Sequence, residues 1–205
     1  MTFRHPRGDR GQTLPIYIWL TVILLFAALA FFAFAQAAFA RNGAQSAADA
    51  AALAAAQEAR DELLLGLGDA VGTDDNWLDW LHLPGDVAIP NDGPTAAAQA
   101  LAADNDATVL GGADAEVVDG YLRFHVAVQT NYTVGDSIIP GTENMQAEAE
   151  ATAVIKPRCE FDADADPTKP LDLVCDDEPV NIDPEDFDPD DLPDASVMFS
   201  VHLAE

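Results

Sequence analysis

The sequence predicts an α+β protein, with a long N-terminal transmembrane and stalk helix followed by a small antiparallel-sheet domain. Three observations predict it. Leu14–Ala40 is apolar and carries no charged side chain. Alanine-rich sequence then continues the helical pattern beyond Arg41. From Ala115 onward the apolar period becomes two, and an Asp-Gly pair separates two alternating runs.

Four segments follow from these changes of pattern. They are a cytoplasmic N-terminus at 1–13, a transmembrane helix at 14–40, a helical stalk at 41–72 and an acidic extracytoplasmic domain at 73–205, with a mobile loop at 176–194. A helix crosses the hydrocarbon layer of about 30 Å in about 20 residues, so Leu14–Ala40 is long enough to span with tilt. Tyr17 and Trp19 lie near its start, where amphipathic rings favour the interface. Pro15 falls in the first turn, where a missing N–H is tolerated. Arg4, Arg7 and Arg10 precede the span and only Arg41 follows it closely. The positive-inside rule therefore places the N-terminus in the cytoplasm and the C-terminal domain outside. A cleaved signal peptide is the rival reading, with A-x-A sites at Ala33-Phe34-Ala35 and Ala38-Phe39-Ala40. The apolar run is longer than the roughly 7–15 residues of a signal h-region.

The stalk reads NGAQSAADAAALAAAQEARDELLLGLG after Arg41. Its composition predicts a helix to about Leu65, with a kink at Asn42-Gly43 and a stop supplied by Gly66, Gly68 and Gly72. Small side chains let a second helix approach closely. The candidate helix-packing residues are Ala33 and Ala37 in the span and Ala44, Ala48, Ala51 and Ala55 in the stalk. A plain stiff stalk is the alternative reading.

Arg10-Gly11-Gln12 before an apolar helix, followed by RNGAQSAADAAALAAAQEARD from Arg41 to Asp61, resembles the actinobacterial branch of the tight-adherence pilus-assembly family, the TadE/TadG-like proteins. The resemblance covers about the first 60 residues, and its most specific run is Gln45 to Ala54. It implies a membrane-anchored, pseudopilin-like structural component that assists export or assembly of a thin surface pilus. Its implied partners are other pilus-assembly membrane proteins or pilin-like helices. Two departures are visible. A prepilin-type cut after Gly11 would place Ile16, not Glu, at the fifth mature position. The D-x-S-x-S metal pattern of longer TadG-like proteins is absent.

In the outer domain, Trp77, Leu78, Trp80, Leu81 and Leu83 form an apolar cluster spaced for one or two amphipathic turns. Core packing is one reading of it and a second membrane contact is the other. Pro94–Ala103 predicts a short helix. Ala115–Val118 and Tyr121–Val128 predict a hairpin about Asp119-Gly120, with Leu122, Phe124, Val126 and Val128 on the buried face. Gln146–Ile155 and Ser196–Leu203 predict two further strands.

Cys159 and Cys175 are the two cysteines, and outside the cytoplasm such a pair predicts one disulfide. Between them lie Asp162, Asp164 and Asp166, alternating as an EF-hand loop begins. Pro167 occupies the place of the turn glycine and Leu173 that of the bidentate Glu, so a looser Ca²⁺ site is the metal reading. Residues 176–194 are acidic and proline-punctuated, which predicts an extended mobile loop.

The net charge of −27 disfavours nucleic acid as a partner. The sequence shows no G-x-S-x-G, H-E-x-x-H, phosphate loop or dinucleotide fingerprint, so a non-enzymatic role without a cofactor is expected. The alternative to pilus assembly is a membrane-tethered extracytoplasmic binding module with weak calcium dependence.

Overall fold

The computed structural model describes residues 13–71, 73, 77–82, 91–133, 144–162 and 164–204. The arginine flank, the bond after Gly11, Gly72 and Leu83 lie outside the described residues.

Helix α1 runs Thr13–Ala70 as one element. It continues through Asn42-Gly43 and past Leu65, where a kink and a stop were expected. The reason is tertiary. A Cβ on Gly66 would collide with the Trp80 ring, and one on Gly43 with the Tyr132 hydroxyl. A helical glycine costs about 1 kcal/mol relative to alanine, and these two offset that cost by admitting an aromatic side chain onto the helix backbone. The turn Trp77–Leu81 (3-10) then folds back. It buries Trp77 and Leu81, and the Trp77 indole N–H donates to the Pro167 carbonyl at 2.9 Å. Within the described residues this cluster is core.

Helix α2 (Asp92–Asp104) packs on α1 through buried Ala98 and Ala102. Strands β1 (Ala107–Val118) and β2 (Tyr121–Thr133) form the expected hairpin. Asp119 (φ 55) and Gly120 (φ 78) supply the two left-handed residues of a type I′ turn. β1 begins earlier than expected, because a bulge between Val109 and Ala113 interrupts its alternation. Leu122, Phe124, Val126 and Val128 are buried as the period of two requires. They join the core cluster that contains the stalk alanines.

β3 (Gln146–Pro157) pairs antiparallel with β2, and β7 (Phe199–Leu203) with β3. The main sheet therefore has the order β1-β2-β3-β7. Ser196–Met198, expected as strand, belongs instead to a short helix, α3 (Ala195–Met198). Asp194 caps it, accepting from the Ser196 N–H at 2.8 Å and the Ser196 hydroxyl at 2.6 Å.

A second sheet, β4-β5-β6, is built from β4 (Cys159–Glu160), β5 (Leu171–Cys175) and β6 (Glu178–Ile182). Cys159 and Cys175 face each other in register and form the expected disulfide. The stretch 176–194, expected as one loop, contains β6 and a 3-10 turn at Pro189–Asp191. Ile182 is buried, and Phe187 and Leu192 pack against the core. Spaced apolar side chains hold this acidic segment down despite its charge.

Candidate functional site

α1 changes character at Ala40. On its N-terminal side the large apolar residues stand exposed, among them Ile16, Trp19, Phe26, Phe31, Phe34 and Phe39. An apolar column of this length is not a soluble surface. α1 is the one described helix that is long and apolar enough to cross a membrane, and it fits a membrane anchor. Gln36 is the strongly polar residue of this half, and its Oε1 has no hydrogen-bond partner among the described residues. It lies beside Phe39, Ala40, Tyr132 and Thr133, where the domain begins.

On the C-terminal side small residues meet the chain's own domain. Ala44, Ala48, Ala51 and Ala55 are fully buried, and α1 contacts α2, β2, β3 and β7. These four alanines therefore do not present a face to another molecule's helix. Their small size serves a close approach of sheet and α2 to the stalk. Ala37 is exposed and Ala33 is partly so, which leaves the pair in the apolar half open to an outside helix.

The three aspartates between the cysteines do not converge. Asp162 accepts from the Asp164 N–H at 3.0 Å. Asp166 accepts from the Thr168 N–H and hydroxyl and pairs with Lys169 at 2.6 Å. The Lys169 hydrogen bond, followed by those from Thr168, holds the Asp166 carboxyl well below the usual carboxylate range. The Asp162 and Asp166 carboxylates each serve their own turn. No group of three His, Cys, Asp or Glu side chains among the described residues is placed to hold a metal ion.

The histidines are also dispersed. His125 lies on β2 and His202 on β7, with β3 between them. His82 packs against Phe161 in a tilted contact with ring centroids 4.7 Å apart. Glu62 is the unusual titratable group. Burial, and secondarily Glu58, raises its pKa, and its Oε2 has no hydrogen-bond partner among the described residues.

One feature was not read from the sequence. β7 pairs with β3 only from Ala153 to Pro157, so β3 runs on beyond the end of its neighbour. A trough of about 520 Å³ opens there, lined by Gln45 and Asp49 of α1, His125 of β2, Glu150–Thr152 of β3 and Leu203-Ala204. A second of about 310 Å³ adjoins it, lined by Arg41, Gln45 and Glu148–Glu150. The Gln45 amide donates to the Glu150 carbonyl at 3.4 Å, across 105 positions of sequence. The alternation of Glu148 and Glu150 was visible in the sequence. The pairing of the last strand with the far half of β3, from Ala153 to Pro157, was not.

Residues 11–58 match the family model described as "Putative Flp pilus-assembly TadE/G-like". The matched stretch takes in the apolar half of α1 and the first part of the stalk, in agreement with the resemblance read from Arg10–Gln12 and Arg41–Asp61. No curated protein and no solved structure matches the chain.

Proposed function

We propose that the chain is a pseudopilin-like structural component of Flp pilus assembly or export, anchored by the apolar half of α1. The N-terminus lies in the cytoplasm and the acidic domain outside. One observation carries this reading. The region matched by the pilus-assembly family is the region in which α1 passes from an uncovered apolar column to the core of a folded domain. The protein acts through packing and position rather than catalysis, and its partners are other membrane components of the pilus apparatus.

The first test is the intact mass of the native protein, taken separately from sheared surface material and from membranes. The expected species retains the arginine-rich N-terminus and is confined to membranes, as a permanent anchor requires. A species beginning at Gln12 in the sheared fraction would instead mean prepilin-type processing and entry into the fibre. Deletion of the chain with pili still assembled would remove the pilus reading altogether. A reporter fused after Glu205 that works only in the cytoplasm would reverse the orientation.

A resident metal is not part of this proposal. Calorimetric titration of the folded protein with millimolar Ca²⁺ is expected to give no binding heat, because Asp162 and Asp166 are engaged in their own turns. Saturable heat that disappears in Asp164→Asn would restore a calcium-dependent binding module.

A further inference from the structure

We infer that the free edge of β3 is a docking site for an extended basic segment of another protein, which would add a strand to the sheet in line with β7. The backbone direction comes from three hydrogen bonds. The Thr152 carbonyl accepts from the Ala204 N–H at 2.8 Å, on the β7 side. The Glu150 carbonyl faces the same way and, among the described residues, receives only the long bond from Gln45. The Ala147 N–H points oppositely, to the Thr130 hydroxyl of β2 at 3.0 Å. Alternation along an antiparallel strand then directs the N–H groups of Glu148 and Glu150 outward. No described strand pairs with β3 between Gln146 and Ala151 on that side.

An open edge of this kind is a template for strand addition. The two adjoining troughs give an incoming strand room between α1 and β3. Charge selects the occupant. Glu148 and Glu150 are exposed, Asp49 lies across the trough, and Arg41 is the single fully charged cation lining it among the described residues. A strand carrying Lys or Arg at alternate positions would set those side chains beside Glu148 and Glu150, where opposite charges on neighbouring strands are favourable. An acidic strand would be repelled. This chain is itself acidic, which favours a different protein over a second copy. The inference stands on the domain alone and survives if the pilus reading fails.

The test uses the full chain in nanodiscs of neutral lipid and two labelled eight-residue peptides, one alternating Lys with Val and the other Glu with Val. Fluorescence anisotropy is expected to show the Lys peptide binding more tightly by at least about tenfold, with charge reversal by Glu148→Lys plus Glu150→Lys removing that preference. Asp186→Asn plus Asp190→Asn, which lowers acidity elsewhere, is expected to leave binding unchanged. Glu148→Pro deletes one outward N–H without touching the β2 ladder and is expected to weaken binding of the Lys peptide. Hydrogen exchange supplies the readout that charge attraction alone cannot move. The Glu148 and Glu150 amides are expected to exchange at least about tenfold more slowly in the complex. Equal binding of both peptides, or binding without protection of these amides, overturns the proposal. So does self-association of the chain through this edge without peptide binding.

Discussion

The two halves of α1 share one helical geometry and obey opposite packing rules. Between Leu14 and Phe39 large side chains stand uncovered. Between Ala40 and Ala70 the buried positions are mostly alanine. In the first half side-chain bulk is an asset, because each methylene adds to transfer into hydrocarbon. In the second half bulk would be a fault, because the sheet and α2 lie against the helix and extra methylenes would push them off. Helix propensity makes both halves helical. The surroundings decide which side chains each half tolerates.

The largest expected effect comes from breaking the first half. Phe26→Arg plus Leu29→Arg places two charges near the middle of the span, each costing about 2.5–3.5 kcal/mol on the insertion scale. The variant is expected to lose carbonate-resistant membrane association. The melting temperature of its folded domain is expected to stay unchanged. Retained membrane association would show that this half is not the anchor.

Next comes a control that loosens the domain without touching α1. Cys159→Ser plus Cys175→Ser opens a loop whose closure contributes about 3 kcal/mol in the chain-entropy model. Urea unfolding is expected to shift to lower denaturant by a corresponding amount, with membrane association intact. The second half is probed by Ala51→Leu, which overfills a fully buried position. It is expected to destabilise by about 1–3 kcal/mol, read as a lower melting temperature, whereas Ala37→Leu in the open half leaves that temperature unchanged. Equal effects from the two would erase the contrast between the halves.

The smallest effect concerns Glu62, in the stalk half. Burial, and then Glu58, holds its carboxyl above the ordinary carboxylate range in the folded chain. A carboxyl raised on folding favours the folded state when protonated, so its contribution is full below the unfolded pKa and is lost as pH rises through the folded value. Glu62→Gln is therefore expected to raise the melting temperature at pH 7 and to leave it nearly unchanged at about pH 4. A larger gain at the lower pH would contradict the assigned direction.

Much of this was legible in the sequence, and the failures share a cause. The apolar run, the Asp119-Gly120 hairpin, its buried face and the disulfide all follow from local rules. Helix α1 outlasts its glycines because Trp80 and Tyr132 need the space beside them, a fact set by chain segments far away in sequence. β6 hides inside acidic sequence because Val180 and Ile182 gain their partners only once β5 is in place. Ser196–Met198 turns helical because Asp194 caps it, a one-residue signal that an alternating apolar pattern overrode. The stalk alanines look the same whether they meet a neighbour's helix or the chain's own sheet.

The unbroken course of α1 has a mechanical consequence. Its 58 residues span about 87 Å at roughly 1.5 Å per residue. There is no loop between the apolar column and the core that Leu63 and Leu67 help to fill. The head is therefore not tethered to its base by a slack cord but mounted on it like the end of a rod. A pull on the head is delivered to the base along one ladder of hydrogen bonds, and a twist of the base turns the head with it. Any apparatus that grips the lower end can thereby steer the surfaces carried at the top.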